Sequence, residues 1–410
     1  MMEPRLPLDI LTIIPDYINE EKDLGSLKAL CLTSSLFLQP CQTHLLSHIT
    51  LSTEVSPSQV QTLPGERLLN LLENSPRLTK YIKRLTISDY FHPEWLPIDT
   101  ALPEALSRLY TSQIVSFRLT RGAQPTPWEE LPPDTQSSLI QLCRSTSLED
   151  LTIHNAPMTL LNVCRPNLRE LNMCLGSFDV LPDITPEARD GVGQEIFLTG
   201  MRLYGEHNFD KGVEYLLNDA NKIRLDKLQQ IQFFMGPRSD HLLATTILDR
   251  CRSSLRTFVF RPSVFITSPD DSPVDLSGCT SLRSIELYVD ETFSNPSEEF
   301  GHPLPWISTF ISTIPPDIKN RIVTLVLCIS FKPAELPDLD TFKENKLYLS
   351  LRRIGEMVKT WGSLEKLGVE VQYPRDSERV WAWIRDALNI SSEATFELVE
   401  IPYESTSVLS

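Results

Sequence analysis

The sequence predicts an α/β protein in which helix–strand units stack side by side on a parallel sheet, behind a short helical N-terminal segment. Five stretches share one pattern: a small or turn residue, Leu, two mostly polar residues, then alternating apolar positions. They are TSLEDLTI (146–153), PNLRELNM (166–173), SSLRTFVF (253–260), TSLRSIEL (280–287) and GSLEKLGV (362–369). Each reads as a turn that brings in a buried Leu, followed by a strand of period two. Helical apolar patterns lie between them, and short amphipathic patterns fill the first fifty residues.

Composition narrows the function classes. The 410 residues are 41% hydrophobic and 22% charged, as in ordinary globular proteins. A net charge of −16 opposes a phosphate backbone and no run of Lys and Arg offsets it, so no nucleic-acid partner is expected. No segment approaches the ~18 apolar residues of a membrane span, so no membrane partner is expected either. The eight cysteines (Cys31, Cys41, Cys143, Cys164, Cys174, Cys251, Cys279, Cys328) contain no CxxC pair, which argues against a structural metal. Reduced thiols in the cytoplasm or nucleus are the expectation. The stretch LPLDILTIIPDYI (6–18) is apolar, but Asp9 interrupts it and Glu3 cancels Arg5, so it does not read as a secretory leader.

On a helix beginning near Pro7, the positions Ile10, Leu11, Ile14, Tyr17 and Ile18 form one apolar stripe. Pro7 suits a first turn, where its missing N–H would be unpaired anyway. Pro15 is expected to kink or end that helix, because an interior proline costs on the order of 3 kcal/mol. A second pattern follows at Leu24, Leu27, Leu30 and Cys31, and a third after Pro40, with Cys41, Leu45, Leu46 and Ile49. Burial is marginal below ~60 residues, so this unit must lean on the rest of the chain or on a partner.

The stretch LPLDILTIIPDYINEEKDLGSLKALCLTSSLFLQPCQTHLL resembles an F-box, the motif by which substrate receptors of ubiquitin ligases dock on a Skp-family adaptor. The likeness rests on Leu6-Pro7, Asp9, the apolar Ile10, Ile14 and Ile18, the Asp23-Leu24 turn and Phe37. With CQTHLLSHITL behind it, the segment is most similar to fungal members. Ser34 stands where the motif usually has cysteine, Phe37 where tryptophan is commoner, and Pro15 where a bulky apolar residue is usual. The resemblance implies that Leu6, Pro7, Ile10, Leu11, Ile14, Leu24 and Leu27 face the adaptor, within a cullin–RING ligase that acts on a protein target of unknown identity.

Looser copies of the strand pattern are IKRLTI (82–87), IVSFRLT (114–120), KLQQIQFF (227–234) and RIVTLVLCI (321–329). Helices are expected at 66–75, 101–110, 139–145, 158–164, 213–223, 241–251, 306–314 and 351–361. Close copies are spaced by about twenty to thirty-five residues, the range of leucine-rich repeats, and VDLSGCTSLRSIEL (274–287) resembles such a repeat most. The others lack the family's Asn or Cys ladder position, so the resemblance is to a degenerate leucine-rich-repeat solenoid. An α/β domain with coincidental strand patterns is the alternative. The expected organisation is an F-box-like three-helix domain at 1–50, the solenoid at 51–404 and a flexible tail at 405–410. Pro-, Gly- and Ser-containing gaps at 120–135, 176–197, 262–279, 290–305 and 332–345 read as loops. Trp381, Trp383, Ile384, Ala387 and Leu388, on a helix over 379–390, are expected to close the open end of the stack.

Signs of covalent chemistry are weak. His44 and His48 share helical i, i+4 spacing, but HLLSH lacks a metalloprotease glutamate and reads as surface histidines. GVGQEI (191–196) lacks the third glycine and the preceding strand of a dinucleotide loop. Asp270 and Asp271 lie in a Pro-rich loop, and no histidine is placed to activate Cys164 or Cys174. Trp95 and Trp128, each in a Pro-containing loop, are candidates for a recognition surface. The chain is therefore expected to be a non-enzymatic adaptor with no catalytic residue, cofactor or metal. A leucine-rich-repeat scaffold with no ligase role is the second reading.

Overall fold

The structure, a computed structural model, describes residues 13–18, 23–53, 62–109, 113–122, 125–175, 194–205, 209–235, 241–261, 274–291, 303–331, 346–372, 377–388 and 397–401. The protein is mixed α/β with extensive parallel sheet, and it divides into two compact units. One comprises Met1–Asn172 and Ser177–Ile196; the other comprises Met173–Gly176 and Phe197–Ser410.

The first unit begins with three helices: α1 (residues 13–18), α2 (Leu24–Thr33) and α3 (Ser35–Leu45). Asp23 starts α2 by accepting the Ser26 amide at 2.9 Å. Ser34, the residue that departs from the F-box pattern, starts α3 by accepting the Leu36 amide at 3.3 Å. Two expectations need correction. Helix α1 continues past Pro15 to residue 18, with Pro15 buried, and α3 begins before Pro40 rather than after it. The Ser34 cap and the burial of Cys41 outweigh the backbone bond that Pro40 cannot make.

Strand β1 (His48–Leu51) follows, crossing the expected domain boundary at residue 50. Next come α4 (Pro64–Asn74), β2 (Arg84–Ser88), α5 (Leu102–Leu109), β3 (Ser116–Thr120), α6 (Pro133–Cys143) and β4 (Asp150–His154). The strands are parallel and in chain order, with His48, Arg84, Ser116 and Asp150 in one register row. The division between units falls inside β5 (Glu170–Leu175).

The second unit repeats the alternation: β6 (Gly200–Gly205), α7 (Phe209–Leu217), β7 (Gln230–Met235), α8 (His241–Cys251), β8 (Thr257–Arg261) and β9 (Ser284–Glu291). It continues through α9 (Pro303–Thr313), β10 (Thr324–Phe331), α10 (Lys346–Val358), β11 (Lys366–Gln372), α11 (Ser377–Leu388) and β12 (Glu397–Ile401). Strands β6 to β12 are again parallel and in chain order.

Every quoted Leu pattern becomes a strand, and the residue two places ahead of the strand is buried. In the first unit these are Ile82, Ile114, Leu148 and Leu168; in the second, Leu198, Leu228, Leu255, Leu282, Ile322 and Leu364. Immediately after it, two successive amides donate to one carbonyl of the preceding strand's first turn. Lys83 and Arg84 donate to Ser47, Val115 and Ser116 to Lys83, Gln229 and Gln230 to Thr199, and Arg256 and Thr257 to Gln229. Strands β4, β5, β9, β10 and β11 start in the same way. Strands β1, β6 and β12 were not expected from the sequence. Trp381, Trp383, Ile384, Ala387 and Leu388 are buried as expected, but α11 is not the last element, because β12 pairs with β11 beyond it.

Inward-facing strand residues meet the helices. Phe260 stacks on Trp306 of α9 at 5.2 Å, and Trp306 stacks on Phe310 at 5.5 Å. Two helices in the first unit start against each other. The Asp99 carboxylate accepts the Gly65 amide of α4 at 2.6 Å, and a Cβ at Gly65 would lie 2.6 Å from Leu102 Cα of α5. Only glycine permits that approach.

A buried ion pair closes the far ends of β2 and β3. Asp89 accepts from Arg121 Nε at 3.2 Å and from the Gly122 amide at 3.0 Å. Asn155, at φ 50°, donates to the Arg121 and Gly122 carbonyls at 3.1 and 2.8 Å. Burial raises the Asp89 carboxyl above its usual range, and the guanidinium and the Gly122 amide oppose that rise only in part. Breaking such a pair strands one charge. Asp89→Ala is expected to lower unfolding free energy by about 3–5 kcal/mol, and the double change of Asp89 and Arg121 to Leu by far less, read from urea midpoints. Gly65→Ala is expected to destabilise as well, whereas Gly362→Ala, where an added Cβ would make only an ordinary contact 3.9 Å from Asn320 Oδ1, is expected to be close to neutral by the same measurement.

Candidate functional site

The helices α1, α2 and α3 carry an unusual amount of exposed apolar surface. Leu32 is 89% exposed, and Ile13, Tyr17, Leu24 and Leu36 are each more than half exposed. Beneath them, Leu27, Cys41 and Pro15 are buried. Polar contacts hold the arrangement: His44 Nε2 and Asp16 Oδ1 are 2.7 Å apart, tying α3 to α1. Burial, with the Cys31 thiol beside it, pushes the Cys41 thiol up to about 11.

Of the residues that the F-box resemblance assigns to an adaptor, Leu24 is exposed and Ile14 half-buried. Leu27 is a correction. It is 0% exposed because α2 turns that side chain inward as its own core residue, so it offers nothing to a partner. Leu6, Pro7, Ile10 and Leu11 lie outside the described residues. Leu32 and Leu36, which sequence patterning did not single out, are exposed in their stead. They fall between the apolar repeats of their helices, where a soluble surface would carry polar residues.

The outward face of β1 to β4 is polar. Its register rows read His48, Arg84, Ser116, Asp150 and then Thr50, Thr86, Arg118, Thr152. Asp150 accepts from Ser116 Oγ at 2.8 Å, and His48 Nε2 lies 3.0 Å from Thr86 Oγ1. His44 and His48 thus turn to different partners, because α3 ends at Leu45 and His48 opens a strand. Burial first, and then the Arg118 charge, lower His154 to about 4.

The outward face of the second unit differs. Tyr204, Phe234, Arg261, Tyr288 and Cys328 share one register row across β6 to β10. Tyr204 and Phe234 stack at 4.3 Å and 8°, Phe234 and Tyr288 lie 6.0 Å apart at 50°, and the Arg261 guanidinium is 5.9 Å from the Phe234 ring. The sequence signal for this row was the aromatic residue at an outward step of three of its strands, as in the FF doublet of KLQQIQFF. Trp95 and Trp128, the expected recognition residues, are both buried, and Trp95 Nε1 donates to the Ser88 carbonyl at 3.0 Å. Each opens a short helical turn, Trp95–Ile98 and Trp128–Glu130, rather than standing in an open loop.

A shallow groove of about 450 Å³, lined in part by Arg283, Asn320, Arg321 and Glu365, lies beside the turns that lead into β9, β10 and β11. Its polar groups serve those turns: Arg321 donates to the Thr280 carbonyl at 2.8 Å and Ser363 to the Asn320 carbonyl at 2.5 Å. Among the described residues no group of three or more His, Cys, Asp or Glu is placed to hold a metal ion, and no helix is long and apolar enough to cross a membrane. Cys164 is buried and Cys174 half-buried. Asp270, Asp271 and the glycines of GVGQEI lie outside the described residues. Comparison with protein-family models and with curated proteins finds no match for this chain.

The His154 shift carries a pH dependence. Its folded value lies below the unfolded 6.5, so the neutral ring is the form the fold favours. Stability from this group is complete above pH 6.5 and is lost as pH falls towards 4, by on the order of 3 kcal/mol. Urea midpoints of the wild type are expected to fall more steeply over that window than those of His154→Asn.

Proposed function

We propose that the chain is a substrate-recognition adaptor of a Skp–cullin–F-box ubiquitin ligase. In this reading α1 to α3 are an F-box-like unit that docks on the Skp-family adaptor, and the helix–strand units behind them are degenerate leucine-rich repeats that hold a protein target. The observation that carries the reading is the exposed apolar surface of α1 to α3, where Leu32, Leu36, Leu24, Ile13 and Tyr17 stand in solvent. Exposed apolar clusters of this kind mark protein-interaction surfaces. The F-box resemblance of the same stretch supports the choice of partner. Such an adaptor does no covalent chemistry; it raises the rate by holding its target near the ligase.

The test uses purified full chain and a Skp-family adaptor. The two are expected to co-elute in size exclusion, and Leu32→Asp with Leu36→Asp is expected to abolish co-elution while the thermal midpoint is unchanged. Leu27→Asp would not serve, because it destroys the core of the helices themselves. Absence of co-elution, or co-elution that ignores the two aspartates, favours an interaction scaffold without a ligase role.

A further inference from the structure

Two arginines on the outward face of the first unit do nothing for its fold. Arg84 of β2 and Arg118 of β3 are exposed, and neither guanidinium makes an ion pair or a side-chain hydrogen bond among the described residues. The chain has 54 acidic residues against 38 basic ones, so counter-charges are plentiful. Arg108, by contrast, holds Glu73 and Glu104 at 2.9 and 2.7 Å. Asp150, the acid of the same two register rows across β1 to β4, takes the Ser116 hydroxyl and pairs with neither arginine. Burial, and then the Arg118 and Arg84 charges, hold His48 below its ordinary value, so both guanidinia reach one part of the face. Like charge is gathered there with nothing to neutralise it.

Register sets the spacing. Arg84 lies opposite Ser116 and Arg118 opposite Thr86, so the two stand diagonally on neighbouring strands. With strands about 4.8 Å apart and a rise of about 3.3 Å per residue, their backbones are roughly 8 Å apart. Alternate residues of an extended segment project to one side at intervals of about 6.6 Å. Two carboxylates so placed can each meet one guanidinium in the planar, two-pronged geometry that arginine favours. A lone phosphate would have to draw the two like charges together. A nucleic-acid strand would find no Phe, Tyr or Trp at the outward positions of β1 to β4 on which to stack its bases. The net charge of −16 also opposes a polyanion far more than a segment with two acids.

We infer that Arg84 and Arg118 grip an extended protein segment carrying Asp or Glu at alternate positions, an assignment of target class that rests on the receptor role proposed above. One carboxylate takes each guanidinium, and the segment runs obliquely across β2 and β3. The sheet already fixes the backbones of both arginines, so binding orders side chains alone.

The experiment titrates the full chain with short fluorescein-labelled linear peptides built around Glu-Ser-Glu. Matched peptides carry Lys-Ser-Lys or a single phosphoserine, and a thymidine oligonucleotide is a further ligand. Anisotropy is expected to show binding of the acidic peptide and at least ~tenfold weaker binding of the basic one. Arg84→Gln and Arg118→Gln are each expected to weaken binding about fivefold and to leave the thermal midpoint unchanged, because neither side chain has a partner to lose. Arg202→Gln, at an exposed arginine of β6, is expected to leave binding unchanged. Equal binding of acidic and basic peptides, no peptide binding, preference for the phosphoserine peptide or the oligonucleotide, or indifference to Arg84→Gln or Arg118→Gln overturns the assignment. An equal loss with Arg202→Gln overturns it too. Co-elution with the adaptor, measured on the same samples, separates the two readings: its loss with peptide binding intact removes the ligase role alone.

Discussion

The buried aliphatic residue two places ahead of each strand is the constraint from which the rest of each unit follows. It anchors the turn, and the next two amides then share one carbonyl of the neighbouring strand. Strand starts are thereby locked together, and residues of equal rank fall opposite one another. A slip of one residue would turn every inward side chain out. Phe258 and Phe260 face α9 because Leu255 fixes where β8 begins.

Once the inward face is committed, the outward face is free to vary. In the first unit it carries hydroxyls, imidazoles and two arginines; in the second it carries stacked rings. The N-terminal helices obey a different economy. They bury Leu27, Cys41 and Pro15, and hold their ends with Asp23 and Ser34. Leu32 and its exposed neighbours gain nothing from that core, although each such side chain is worth about 1.5–3 kcal/mol when buried. The surface they form makes sense against a second apolar surface.

Much of the scaffold was legible because one short pattern sets it. The Leu, its turn residue and the alternation after it located strands such as β4, β8 and β11 to within a residue or two. Strand β6 escaped because its pattern was not recognised among the Leu copies, although Leu198 obeys the same rule. Helix α3 was misplaced because Pro40 reads as a boundary, whereas Ser34 supplies a cap strong enough to start the helix earlier. The exposed apolar face of the N-terminal helices was legible as a region and not residue by residue. Leu24 and Leu27 are three apart on one helix, yet only the second has a buried neighbour to turn towards. The tryptophans misled for a related reason: a loop indole is a recognition group or a core plug according to which way its loop folds. Tyr204, Phe234 and Tyr288 come together from three strands, and their meeting depends on register.

Within each unit the strands lie in the order in which they occur in the chain. Every pairing partner is therefore a near neighbour in sequence, which keeps contact order low for a protein rich in parallel sheet. A chain leaving the ribosome meets a finished template for each new strand, and assembly advances from the N-terminal side one turn at a time. The growing edge is never asked to wait for a segment from the distant end of the polypeptide, so the interval in which an unpaired strand is open to misassociation stays brief.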